Sequence, residues 1–356
     1  MKKKILILRF SAMGDVALLV PVIKSLVAAY PEVEVTVVTR PKFGPLFFDL
    51  ERVNVFPADV DYTYTGVLGL RDLFGKLLRK GPYDVVMDMH DHVRTVVLRG
   101  LFRVFGSKVV VFDKGRKEKK AFTRKEEKIT SPLMHTVERY RQAFEKAGYS
   151  FPIVPPPHLA LSESIQNASG WFGFKKSADD KKWVGIAPFA MHKTKIWPLE
   201  NYPVLMASVL RQHPVKFFLF GGGDKEIKYF ESLKQQFPDH CEVIAGQLKL
   251  RQEIALMQHL DLMLCVDSSN MHMAALSNVP LLAIWGGTHP DVGFGPYGKN
   301  IDDTIIQVSR EELPCRPCSV YGREKCYIGD FSCLNRITPD LVSQRIVRHL
   351  EGILPQ

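Results

Sequence analysis

The sequence predicts an α/β protein made of two doubly wound parallel sheets, one in each half of the chain. Three observations predict it. Short apolar runs of strand length alternate with segments long enough for crossover helices, the alternation pauses at a proline-rich stretch and restarts, and 356 residues is roughly twice an ordinary domain.

The first element is a fully apolar strand, Ile5-Leu6-Ile7-Leu8, followed by the polar turn Ser11 to Asp15 and a helical stretch from Val16 to Ala29. Val33 to Thr39 supplies the next strand, which makes a β-α-β start. Further strands are expected at Asp84 to Met89 and Lys108 to Phe112, and a helix from about His135 to Ala147 closes this half. Pro152 and Pro155-Pro156-Pro157 read as a connector, which places the domains at 1–157 and 158–356. In the second half the strands are Trp183 to Ala187, Lys216 to Phe220, Glu242 to Ile244, Leu262 to Val266 and Leu281 to Trp285. In such sheets ligands gather beyond the carboxyl ends of the strands, so a two-domain version is expected to hold its site in a cleft between the halves.

Composition narrows the function classes. With 46% hydrophobic and 24% charged residues, the chain is neither disordered nor fibrous. The longest apolar run near the start, Val16 to Ile23, is too short to span a bilayer and no signal-peptide pattern surrounds it, so a cytoplasmic location is expected. The net charge of +10 favours an anionic partner: nucleic acid, a phosphorylated substrate or an acidic lipid surface. Half of that excess sits in Lys114 to Lys128, which holds eight Lys or Arg and three Glu. The segment reads equally as a solvated loop or as a dock for anionic lipid. Nucleic acid fits it poorly, because it lacks interleaved aromatics beyond Phe122.

Four strand-end turns hold the candidate chemistry. Arg9 to Asp15 lies between the first strand and first helix; Gly14 permits close backbone approach, and Asp15 is either a cleft carboxylate or a helix N-terminal acid. Neither a dinucleotide fingerprint nor a Walker A sequence is present. The Ala187 to Pro198 loop carries Lys193 and Lys195, which can meet a phosphate or simply face solvent. Asp267 to His272 begins a helix whose N-terminal N–H groups suit an anion, although a plain N-cap looks the same. Gly221 to Glu226 lets a ligand approach the backbone and offers the Glu226 carboxylate to ribose hydroxyls. Together the last three outline a nucleotide diphosphate pocket.

Other residues read more plainly. Asp59-Val60-Asp61 is formally a metal-binding triplet but is expected to be a surface turn, and His90, Asp91 and His92 match no metal-ligand spacing. Cys315, Cys318, Cys326 and Cys333 are compatible with structural zinc, free thiols or a disulfide.

Taken in order, these residues resemble glycosyltransferase family 9, the ADP-heptose:lipopolysaccharide heptosyltransferases. The likeness runs over most of the chain: Ile5 to Pro21, Tyr83 to Asp88, Lys195-Ile196-Trp197-Pro198, Gly222 to Glu226, and Asp267 to His272 followed by Pro280 and Trp285-Gly286. The resemblance implies a GT-B fold, two Rossmann-like domains facing a cleft, with the acceptor bound by the N-terminal domain, the nucleotide sugar by the C-terminal one, and a C-terminal helix returning to the N-terminal domain. It implies inverting transfer without a metal or cofactor. Carried over, Asp15 is the general base and Lys195 neutralises the leaving diphosphate. Gly222, Glu226, Asp267, Ser268, Ser269 and His272 bind the donor, and Arg9, Ser11, Gly14 and Arg94 face the acceptor. The implied partners are ADP-heptose, a lipid-linked core oligosaccharide and the anionic inner face of the cytoplasmic membrane. Pro188-Phe189-Ala190 departs from the Thr/Ser-rich turn of better-known members, as do Asn270 and Met271 from smaller residues, and both bear on donor identity. The competing functions are a transferase or epimerase for another nucleotide sugar, and a non-catalytic glycan- or lipid-binding protein.

Overall fold

The computed structural model describes residues 2–160 and 181–353. The chain divides into two compact units, the first made of Met1–Arg116 and Met134–His158, the second of Lys117–Leu133 and Leu159–Gln356. The boundary near 158 thus coincides with the proline-rich connector. The segment 117–133, which the linear reading places in the N-terminal half, clusters with the second unit instead.

The first unit is built on a five-stranded sheet of β1 (Lys3–Leu8), β2 (Val33–Thr39), β3 (Val53–Pro57), β4 (Val85–Asp88) and β5 (Lys108–Val111), in the order β3-β2-β1-β4-β5. Every pairing is parallel. β1 is central, with Ile5 to Leu8 fully buried, as an uninterrupted apolar run requires when both faces are covered. β3 was not among the expected strands: it is an edge strand, only partly buried, and it ends on Pro57, which an edge tolerates. The expected single helix after β1 is two, Met13–Ala17 and Val20–Ala29. Pro21 lacks the N–H that would bond the Ala17 carbonyl and its ring crowds that turn, so the helix breaks at Leu18 and Leu19. The helix Thr136–Ala147 matches expectation, opened by the His135 ring accepting from the Val137 N–H and closed by Gly148 at φ 104°.

The second unit repeats the plan with β6 (Lys182–Ala187), β7 (Val215–Leu219), β8 (Cys241–Val243), β9 (Leu262–Val266), β10 (Leu281–Ile284) and β11 (Ile305–Ile306), all parallel in the order β11-β10-β9-β6-β7-β8. β11 is two residues long, too short for a hydrophobic pattern to reveal. The helices Asn201–Leu210 and Pro339–Leu350 add Tyr202, Leu205, Val342 and Ile346 to the core of this sheet, and Ser343 Oγ donates to Ser208 Oγ at 3.0 Å. The C-terminal helix is a core element of the second unit. In both sheets the order reverses beside the first strand, at β1/β4 and at β6/β9, where a doubly wound sheet opens a ligand crevice.

Candidate active site

In the first unit, the turns leaving β1 and β4 bring together residues about 80 positions apart. Arg9 is buried; its Nη2 lies 2.6 Å from Asp15 Oδ2 and its Nη1 donates to the Met89 carbonyl at 2.6 Å. Its guanidinium also stands 5.9 Å from the ring centroids of Phe112 and Tyr140. Asp15 occupies the first turn of Met13–Ala17 and accepts from the Ala12 N–H at 3.3 Å, so it is a helix-opening acid and an ion-pair partner at once.

Ser11 Oγ lies 3.4 Å from His90 Nε2. The His90 ring sits edge-on to Phe10 and stacks on His92 at 5.2 Å, and its Nδ1 is enclosed without a hydrogen-bond partner. Burial, with Arg9, Lys114, His92 and Arg40 nearby, pushes its pKa down to about 2. The ring is neutral throughout the physiological range. Asp88, fully buried at the end of β4, accepts from the His90 and Asp91 N–H groups and pairs with Arg99 at 2.8 Å, which fixes this turn. Lys114 donates to the Asp91 carbonyl at 3.2 Å.

Of the acceptor-side residues, Arg9 and Ser11 line this turn pair and Gly14 lies in the helix with Asp15. Arg94 stands 3.9 Å from Asp61, which Arg40 grips through two nitrogens at 2.7 and 2.8 Å, and Arg40 Nη1 donates to the Phe10 carbonyl at 3.4 Å. The Asp59-Val60-Asp61 triplet is a turn: Asp59 accepts from Asp61 N, Tyr62 N and Thr63 Oγ1. Asp91 is likewise occupied, by Arg99 and Arg116. His90 and Arg40 were not singled out as site residues in the sequence, whereas Lys114 opens the basic segment that, with Arg94, was a candidate for meeting an anionic acceptor. Only position after a strand could have marked the first two.

In the second unit the decisive contact is at the β6/β9 reversal. Lys195 Nζ lies 3.0 Å from Asp267 Oδ2, and Thr288 Oγ1 donates to the same oxygen at 2.7 Å. Lys195 ends a single 3-10 turn, Lys193–Lys195, anchored when Gly287 N donates to the Thr194 carbonyl at 2.8 Å. A Cβ on Gly286 would stand 2.5 Å from that carbonyl, so this approach requires glycine. Asp267 is followed by Ser268, the N-cap of the helix Ser269–Leu276; Ser268 makes no side-chain cap, and its Oγ is enclosed without a partner. The first-turn N–H groups therefore point past an unspent hydroxyl. His272 is buried on the same helix.

Glu226 lies in the first turn of Asp224–Gln236 and accepts from Gly222 N at 2.8 Å; burial pushes its carboxyl above the usual range. Gly221, rather than Gly222, is the glycine that sterics demand. A Cβ there would meet Glu226 Oε2 at 2.4 Å, whereas Gly222 faces open space.

The cysteine-rich segment braces this half-site. Arg316, fully buried between Cys315 and Cys318, donates to the carbonyls of Trp285, Gly286, Thr288 and Val308 and to Gln307 Oε1. Cys318 N donates to the Gly287 carbonyl, while Arg323 and Thr194 exchange two hydrogen bonds. All six cysteines are free thiols, and among the described residues no group of three or more His, Cys, Asp or Glu side chains is arranged to hold a metal. Burial pushes the Cys333 thiol up to about 12, an inert value.

A family model described as glycosyltransferase family 9 (heptosyltransferase) matches residues 71–326. The lipopolysaccharide core heptosyltransferase OpsX of Haemophilus influenzae is 25% identical over 312 residues, covering 85% of this chain and 84% of its own. Among solved structures, the Escherichia coli ADP-heptose lipopolysaccharide heptosyltransferase II superposes with a TM-score of 0.69 at 22% identity, covering 99% of both chains. A family 9 glycosyltransferase from Veillonella parvula superposes with a TM-score of 0.72 at 19% identity over 99% of this chain and 98% of its own. These likenesses bear out the GT-B class of fold expected from the sequence.

Proposed function

The chain belongs to glycosyltransferase family 9, and from that premise we propose that it moves a heptose from ADP-heptose to a lipopolysaccharide inner-core acceptor, inverting the anomeric centre and needing no metal. The relatives supply the substrate class: OpsX is named for the lipopolysaccharide core, and the E. coli structure for ADP-heptose. One observation carries the assignment to this chain's own chemistry. The second unit holds a lysine, Lys195, oriented by Asp267 and Thr288 beside an uncapped helix start.

In the proposed reaction, Asp15 takes the proton from the acceptor hydroxyl as its oxygen attacks the anomeric carbon from the face opposite the diphosphate. The bond from that carbon to the diphosphate breaks, and ADP leaves with the electron pair. Lys195, the Ser268 hydroxyl and the Ser269 N–H meet the charge that builds on it. Asp267 positions Lys195, and the Arg9 ion pair holds Asp15 in place. Glu226 accepts from the ribose, Gly222 and His272 complete the donor side, and Ser11, Gly14 and Arg94 receive the acceptor.

No helix among the described residues is long and apolar enough to cross a membrane. We place the enzyme at the cytoplasmic face of the inner membrane, where a lipid-linked acceptor is presented. The Lys114 to Lys128 segment serves this role only in part. Lys119 is buried over the Phe294 ring, Phe122 is buried beneath Arg310, and Lys128 donates to the Pro314 and Arg316 carbonyls. Thermal melting against ADP, UDP and GDP tests the donor: stabilisation by ADP alone supports the assignment, because only a ligand of the native state raises the midpoint. Stabilisation by UDP or GDP instead assigns another nucleotide sugar, and none by any of them removes the donor site.

A further inference from the structure

Two helices of the first unit carry more apolar and cationic surface outward than a water-facing layer needs. Gly66–Lys80 and Val93–Val104 lie on one face of the first sheet, pinned by Leu70, Leu73, Phe74 and Leu77 and by Leu98 and Phe102. Their outer sides show Leu68 at 78% exposure, Val93 at 73% and Val104 at 82%, with Val67 and Phe105 also exposed. In Val93–Val104 the outward positions 93, 96, 100 and 104 are Val, Val, Gly and Val, one stripe at helical spacing.

The charges on this layer are mostly positive. Gly66–Lys80 holds Arg71, Arg79 and Lys80 besides the Lys76–Asp72 pair, and Val93–Val104 holds Arg94 and Arg103 besides Arg99, which turns in to Asp88 and Asp91. The unit as a whole shares the bias: residues 1–116 and 134–158 carry 21 Lys and Arg against 14 Asp and Glu, whereas the second unit carries 27 against 24. An apolar stripe flanked by arginines and lysines is the pattern of a surface that lies in a bilayer interface, where valines enter the acyl boundary and cations meet lipid phosphates. Both helices also start at the carboxyl edge of the sheet, the edge that carries Arg9 and Asp15.

We propose that the outer face of Gly66–Lys80 and Val93–Val104 docks the enzyme on an anionic bilayer, setting its acceptor-side turns at the level of lipid headgroups. The docking surface is therefore this helix pair rather than the Lys114 to Lys128 segment, whose cations are partly spent inside the second unit. The inference rests on the lipid-linked acceptor proposed above.

Flotation of the full chain with phosphatidylethanolamine–phosphatidylglycerol vesicles and with phosphatidylcholine vesicles tests it. Wild type is expected to float with the anionic vesicles, and Leu68→Glu/Val93→Glu/Val104→Glu to lose at least about tenfold in partitioning. Arg71→Gln/Arg103→Gln is expected to weaken binding to the anionic vesicles and leave the phosphatidylcholine baseline unchanged. All three glutamates replace exposed residues, and an unchanged melting midpoint confirms the fold. Transfer to a delipidated, soluble core acceptor is expected to be normal in both variants. If wild type transfers to no core acceptor, the reaction assignment fails while the flotation result still decides the docking face. Flotation unaffected by the glutamates overturns the inference. So does a wild-type dimer in solution that the glutamates convert to monomer, which assigns the face to a second copy of the chain.

Discussion

Thr288→Val removes one hydroxyl from the donor half-site and almost nothing else. Thr288 and Asp267 are both buried, and the 2.7 Å bond between them has a carboxylate as acceptor. A hydrogen bond to a charged group contributes about 1.5–3 kcal/mol, and valine restores the volume without the donor. Asp267 keeps Lys195, so the loss stays near the middle of that range, about 2 kcal/mol. For a unit of this size, each kcal/mol moves the melting midpoint by roughly 2–4 °C, which predicts a drop of about 4–8 °C. Asp267 is also the group that orients Lys195, so ADP affinity is expected to fall by about three- to tenfold, since 1.4 kcal/mol corresponds to tenfold. Differential scanning calorimetry and titration calorimetry with ADP read the two effects. If Thr288→Val melts like wild type and binds ADP equally well while Asp267→Asn does neither, the Thr288 hydroxyl does not hold the carboxylate. The proposed chain of support from β10 to Lys195 is then wrong.

Asp15→Ala is expected to lower turnover by about 10²–10⁴ while leaving ADP affinity intact, as loss of a general base should; near-normal transfer in a discontinuous product assay removes Asp15 from the mechanism. Lys195→Met is expected to weaken ADP binding by about ten- to a hundredfold, the cost of a charge-assisted contact to phosphate, measured by titration calorimetry. Arg316→Met leaves several buried carbonyls without their donor and should cost about 3 kcal/mol or more, visible as a lower urea midpoint for the second unit. His90 is neutral when folded, with a pKa near 2, and His158 is pushed down to about 4, so below pH 6.5 the unfolded chain binds protons that the native first unit does not. Stability therefore rises with pH up to about 6.5 and falls on acidification by up to about 1.4 kcal/mol per pH unit for each ring. His90→Asn should flatten that slope by one proton between pH 6 and 4, and an unchanged slope means that the ring titrates freely.

The central strands were legible because their signal is local. Ile5 to Leu8 and Leu262 to Val266 are apolar at every position, since both faces of a central parallel strand are covered, and this needs no knowledge of the partner. The polar segments that follow the strands were equally visible, and Asp15, Lys195, Asp267 and Ser268 lie in them. β3 and the break before Val20 were missed for physical reasons of the same local kind, partial burial at an edge and a single proline within a helical pattern.

Tertiary structure alone decided which turns meet. Lys195, Asp267 and Thr288 are joined across 72 and 21 positions, and Arg9 and His90 flank turns 80 apart, because sheet order places β6 beside β9 and β1 beside β4. Strand order arises from non-local pairing and crossover handedness, and no periodicity in a short window encodes it. The same holds for the basic segment. Its charge was plain from composition, but that Lys119 lies buried over Phe294 while Val93, Val96 and Val104 face outward depends on which surfaces the folded units leave uncovered. Residue type thus settled what chemistry the chain carries, and packing settled where that chemistry is spent.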